Sequence, residues 1–99
     1  MAKIKSREGS VEQLYEAVLT LKSEKDCEKF FTDLCTVNEL VSLAQRFDVG
    51  RMLISKKTYH DISQATGAST ATISRVNRLL TDPGSGFIKA DAALSKKGI

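Results

Sequence analysis

The chain is predicted to be all-α, with about six helices and a helix-turn-helix motif near residues 58–80. Three observations carry this. Apolar residues recur at three- and four-residue spacing along most of the 99 residues, and no stretch alternates convincingly as a strand would. Serine and threonine stand where these periodic segments begin, as helix caps do. A lone glycine, Gly67, separates two short amphipathic segments.

Taken in order, residues 1–9 are polar, charged and without period, and read as a flexible N-terminal arm. Residues 10–95 read as a single helical domain. Ser10 and Gln13 have the spacing of a capping box, opening a helix to about Lys22 with Val11, Leu14, Val18 and Leu21 on one stripe. Ser23 opens the next, with Cys27, Phe30, Phe31 and Leu34 facing inward. Thr36 and Glu39 form a second capping box for a longer helix to about Ile54, whose apolar positions are Val37, Leu40, Leu43, Phe47 and Leu53 or Ile54. The motif helices follow at about 58–66 and 70–80. Asp82, Pro83, Gly84, Ser85 and Gly86 make a breaker cluster, after which Phe87 to Leu94 form a short last helix before a basic tail.

The motif needs two helices pinned together and a tight turn between them. Ile62, Ala65, Ile73 and Val76 supply the apolar contacts, and Ser63 is small where the second helix crosses the first. Gly67 follows the first helix at a position suited to a left-handed conformation, and Ser69 or Thr70 then caps the second. The outward residues of that second helix are Thr70, Ala71, Ser74, Arg75 and Arg78, with few acids among them. Such a helix suits the major groove of DNA between phosphates. Thr70, Ala71 and Ser74 are placed to meet base edges. Thr72, Arg78, Lys56 and Lys57 are placed for phosphates, and Tyr59, His60 and Gln64 brace or flank the backbone.

Charge agrees with that assignment. Residues 1–35 carry six Lys/Arg and seven Asp/Glu, whereas residues 36–99 carry nine and five, so the excess of base lies in the half containing the motif. The longest apolar runs are only a few residues, too short for a spanning helix, and the first residues lack the apolar core of a signal peptide. A cytoplasmic location is expected. Cys27 and Cys35 lie eight apart on one expected helix, a rise of about 12 Å against the roughly 7 Å that a disulfide tolerates, so both read as core thiols. His60 is the sole histidine and has no nucleophile arrangement around it, and Gly84 to Gly86 is too short for a phosphate loop. No enzyme activity, metal or required cofactor is expected.

The run Gly67-Ala-Ser-Thr-Ala-Thr-Ile-Ser-Arg75, with the helix from Thr58 before it and the segment Leu34 to Arg46 upstream, resembles the Trp repressor superfamily. Over nearly the full length the chain is similar to the YerC/YecD group of Trp-repressor-related proteins. The resemblance implies an intertwined homodimer whose first three helices interlock with those of a second chain. It also implies a near-palindromic operator, two recognition helices being about one turn of DNA apart. Carried over residue by residue, it places Arg46 and Arg75 as two arginines that hold the carboxylate of an amino-acid effector, with Thr36 near the ligand's ring. Val76 stands where the repressor has a glycine against the indole. A branched side chain in a closed site commonly costs about 1 to 3 kcal/mol, which argues against tryptophan. The match also needs a one-residue deletion between Ser55 and Lys57. A smaller amino acid, histidine being one candidate, another anion, or no effector remain. The bland alternative for the two arginines is pairing with Asp48, Glu39 or Asp61, or contact with phosphates.

The expected function is thus a sequence-specific DNA-binding transcriptional regulator, a homodimeric repressor controlled by an amino acid in its fullest form. The alternative is a helical dimeric protein-interaction module without specific DNA readout.

Overall fold

The computed structural model describes residues 7–99, so residues 1–6 of the expected arm lie outside the described residues. Six helices follow in order: α1 (Ser10–Leu19), α2 (Glu24–Leu34), α3 (Val37–Ile54), α4 (Tyr59–Thr66), α5 (Thr70–Leu79) and α6 (Gly86–Lys96). Among the described residues there is no strand. The helices fall into two units, one ending at Val37 and one spanning Asn38–Ile99.

In the first unit, α1 begins differently from expectation. Gly9 takes the cap position in a left-handed conformation (φ 78°) and no side chain caps the helix. The Ser10 N–H donates to the Arg7 carbonyl and that of Gln13 to the Gly9 carbonyl, both at 3.0 Å, so Ser10 is already inside the helix and its capping box does not form. The helix also stops at Leu19, short of Lys22, where the Thr20 hydroxyl donates to the Ala17 carbonyl at 2.6 Å. Ser23 caps α2 as expected, accepting from the Asp26 N–H at 3.0 Å, with Glu24 and Asp26 favourably placed at the positive end of the helix dipole. Phe30 and Phe31 meet edge to face at 5.4 Å. Neither α1 nor α2 buries a single side chain in the isolated chain. Cys27 and Cys35 are accordingly free and half-buried, not core thiols.

The second unit holds the core. Val49 of α3, Ile62 of α4, Ala68 of the turn, and Ile73 and Val76 of α5 form one buried cluster, with Met52, Leu53 and Phe87 packed on it. Each fully buried valine or isoleucine contributes about 1.5 to 3 kcal/mol. Two expectations need correction. Ala65 is exposed and Ala68, in the turn, takes the buried place instead. Along α3 the buried positions are Val49 and Gly50, while Val37, Leu40 and Leu43 stay exposed. The 18-residue α3 is longer than the 8- and 10-residue helices packed on it, and the buried cluster draws on it at Val49, in its C-terminal half.

The α3–α4 connection ends α3 in a Schellman arrangement. Lys56 N–H donates to the Leu53 carbonyl and Lys57 N–H to the Met52 carbonyl, both at 3.0 Å, with Lys56 at φ 66° where glycine is usual. Arg51 ties α3 to α6 through an ion pair with Asp91 at 2.7 Å, and its Nη2 donates to the Ile99 carbonyl at 2.6 Å.

Candidate nucleic-acid interface

The turn between α4 and α5 is built almost entirely from its own side chains. Thr58 caps α4 by accepting from the Asp61 N–H, and Gly67 ends it in the left-handed conformation at φ 74°. The Thr66 hydroxyl donates to the Ile62 carbonyl at 2.7 Å and accepts from the Ala68 N–H at 3.1 Å, spanning the turn. Ser69 then caps α5, accepting from the Thr72 N–H at 3.2 Å. This fixes α5 relative to α4 from both ends. Gln45 adds a tether from α3, its amide donating to the Thr66 carbonyl at 3.0 Å.

With Ile73 and Val76 locked into the core, the opposite face of α5 points outward. Ala71, Arg75 and Arg78 are exposed at helical spacing, Thr70 is exposed at the first turn, and Ser74 is half-buried among them. No acid occupies the first turn, and Arg78 is in the last. His60 and Gln64 are exposed four residues apart on α4, and Lys56 and Lys57 are exposed at its entrance. The helix offers short hydroxyl and methyl groups along its outer stripe with guanidiniums at positions 75 and 78. That chemistry matches base edges and phosphates respectively.

Thr72 is half-buried, and its Oγ1 accepts from the Ser69 hydroxyl at 3.1 Å. It also lines a cavity of about 580 Å³ between α3, α5 and α6, together with Arg75, Val76 and Leu79 of its own helix, Ser42, Leu43, Gln45, Arg46 and Phe47 of α3, and Phe87 of α6. The sequence-derived pair Arg46 and Arg75 is thereby brought to one cavity, with Val76, 2 % exposed, belonging to the core as well. Neither arginine makes an ion pair among the described residues, and no carboxylate lines the cavity. Thr36 is exposed directly before α3, in the first unit. The sequence did not point to Ser42, Leu43, Gln45, Phe47, Leu79 or Phe87 as cavity residues. Ser42, Gln45 and Arg46 interrupt the apolar pattern of α3 at helical spacing and were the available signal; Phe87 had none, since α6 is distant in sequence.

The family model of the Trp repressor protein matches residues 9–90. The chain belongs to the Trp repressor family. This family member is 55 % identical over 76 residues to the Bacillus subtilis protein YerC, covering 77 % of this chain and 73 % of YerC. Two solved structures share its fold. A TrpR-like protein from Eubacterium eligens matches with a TM-score of 0.84 at 48 % identity, over 90 % of this chain and 92 % of the other. A Trp repressor candidate from Staphylococcus aureus matches with a TM-score of 0.83 at 43 % identity, over 90 % and 89 %. The Trp repressor family is one of regulators, in keeping with a site built from a recognition-type helix and a charged cavity. Among the described residues, no group of His, Cys, Asp and Glu is arranged to hold a metal ion, and no helix is long and apolar enough to cross a membrane.

Proposed function

We propose that this Trp repressor family member is a homodimeric, sequence-specific DNA-binding repressor acting in the cytoplasm on a near-palindromic operator. The observation that carries the proposal is the division of α5 into a core-locked face, Ile73 and Val76, and an outward face of Thr70, Ala71, Ser74, Arg75 and Arg78. A helix held this rigidly can present side chains to a groove at fixed register.

The dimer is supported by the apolar surface of the N-terminal half. Leu14, Tyr15, Val18, Leu34, Val37, Val41 and Leu43 are all more than a third exposed in the single chain. Soluble monomers rarely leave so many large apolar side chains to water, and a second copy would cover them. The effector role of the cavity is supported by its two unpaired guanidiniums, which suit a carboxylate, and by its apolar walls. Because Thr72, Arg75, Val76 and Leu79 of α5 form one wall, a ligand there would bear directly on the helix proposed to read DNA.

Selection of bound duplexes from a random pool, with and without a mixture of amino acids, tests the proposal. Enrichment of one near-palindromic sequence is expected, with enrichment strengthened by the amino acids. Recovery of no sequence in either condition would overturn it in favour of a protein-interaction module.

A further inference from the structure

Phe87 occupies a position that DNA reading does not explain. It lies in the first turn of α6, where Ser85 caps the helix and accepts from the Phe87 N–H at 3.2 Å. Its ring lies against the backbone of α3 at Gly50. A Cβ at Gly50 would stand 2.6 Å from the ring's Cδ1 and 3.1 Å from Cε1, closer than side chains pack, so the absence of a side chain at position 50 is what lets the ring sit there. The ring also stacks on Phe47, with centroids 6.2 Å apart and planes 21° from parallel. Two neighbours therefore hold it in place.

Phe87, Phe47 and Leu79 line the arginine cavity and also a second, more apolar cavity of about 590 Å³ that extends past Asp82 and Gly84 to Ala90. The same side chains thus border both spaces. We propose that Phe87 is the specificity-determining residue of the effector cavity: its ring closes the apolar end and sets the largest body that a carboxylate held by Arg46 and Arg75 can carry. This rests on the effector role proposed above. The carboxylate end is fixed by the two guanidiniums. The rest of the ligand then extends along Val76 and Leu79 until it meets the ring. Shortening the residue at 87 opens the way into the second cavity, so larger bodies gain contacts while the carboxylate end is unchanged.

Calorimetric titration of the full chain with each of the twenty standard amino acids tests this, using wild type, Phe87→Leu, Phe87→Ala and Gly50→Ala. The leucine variant keeps most of the volume, which guards against simple unfolding. Both substitutions at 87 are expected to improve binding of the bulkier amino acids relative to the smaller by about tenfold or more, the scale on which pockets discriminate single groups. Gly50→Ala, which displaces the ring, is expected to change the ranking too, and Gly50→Ala combined with Phe87→Ala to restore the ranking of Phe87→Ala. An unchanged ranking in Phe87→Leu, or equal weakening of every amino acid, overturns the role of Phe87 while leaving the effector site standing. Wild type that binds none of the twenty overturns the effector site and this proposal together.

Discussion

Gln45 on α3 donates its side-chain amide to the Thr66 carbonyl, the last residue of α4, at 3.0 Å. The bond satisfies a helix-end carbonyl that the turn at Gly67 leaves without an intrahelical partner, and it joins the central helix to the motif. Gln45 also lines the arginine cavity. One side chain therefore touches both the cavity and the end of the first motif helix.

Replacing Gln45 by alanine leaves the half-buried Thr66 carbonyl short of a donor. A loss of about 1 to 2 kcal/mol is expected, the usual cost of such a group, and denaturant unfolding measures it. No change in stability would mean that the tether carries no load.

Two left-handed residues predict opposite outcomes. Lys56 stands at φ 66° and has a side chain, so Lys56→Gly is expected to stabilise the chain by about 0.5 to 1 kcal/mol. Gly67 stands at φ 74° with nothing within 4 Å of a new Cβ, so Gly67→Ala is expected to cost about 1 kcal/mol from backbone strain alone. Thermal melts of the two variants should move apart in these directions.

The Arg51–Asp91 pair is mostly buried, with side chains 24 % and 16 % exposed. Asp91→Asn keeps the shape and removes the charge, and a loss of about 1 to 2 kcal/mol is expected by the scale of charge-assisted bonds. Raising salt should reduce the difference between wild type and variant only weakly, because the pair is shielded from solvent. Equilibrium unfolding at two salt concentrations checks both statements.

Arg78 sits in the last turn of α5 and is exposed. Arg78→Ala is expected to weaken DNA binding by a similar factor on every sequence and to lower the salt slope by about 1. Fluorescence titrations of specific and random duplexes at several salt concentrations separate this from loss of base reading.

Much of the motif was legible because its determinants are local. Gly67, the cap expected at Ser69 or Thr70, and the buried Ile62, Ile73 and Val76 each act within a turn or two of their own position. What the sequence did not show depends on contacts between distant elements. Ala68 displaces Ala65 in the core because the turn folds inward. Val49 is buried and Leu40 exposed because the core shared with α4 and α5 forms on the C-terminal half of α3. Arg46 and Arg75 were found together through resemblance, whereas Phe87 reaches the same cavity from α6, beyond a Pro-Gly turn, and no local pattern marks it. Ser10 misled because Gly9 before it accepts a conformation that moves the helix start by one residue.

The outer face of α5 is proposed to read base sequence in a two-fold complex. Repeating the duplex selection with an α5 variant carrying Ala71→Asn and Ser74→Ala, both outside the buried cluster, tests this reading. The expected result is a consensus changed at a few base pairs placed symmetrically in both half-sites, each change amounting to about 1 to 3 kcal/mol of discrimination, with the half-site spacing retained. A consensus identical to that of wild type would contradict it.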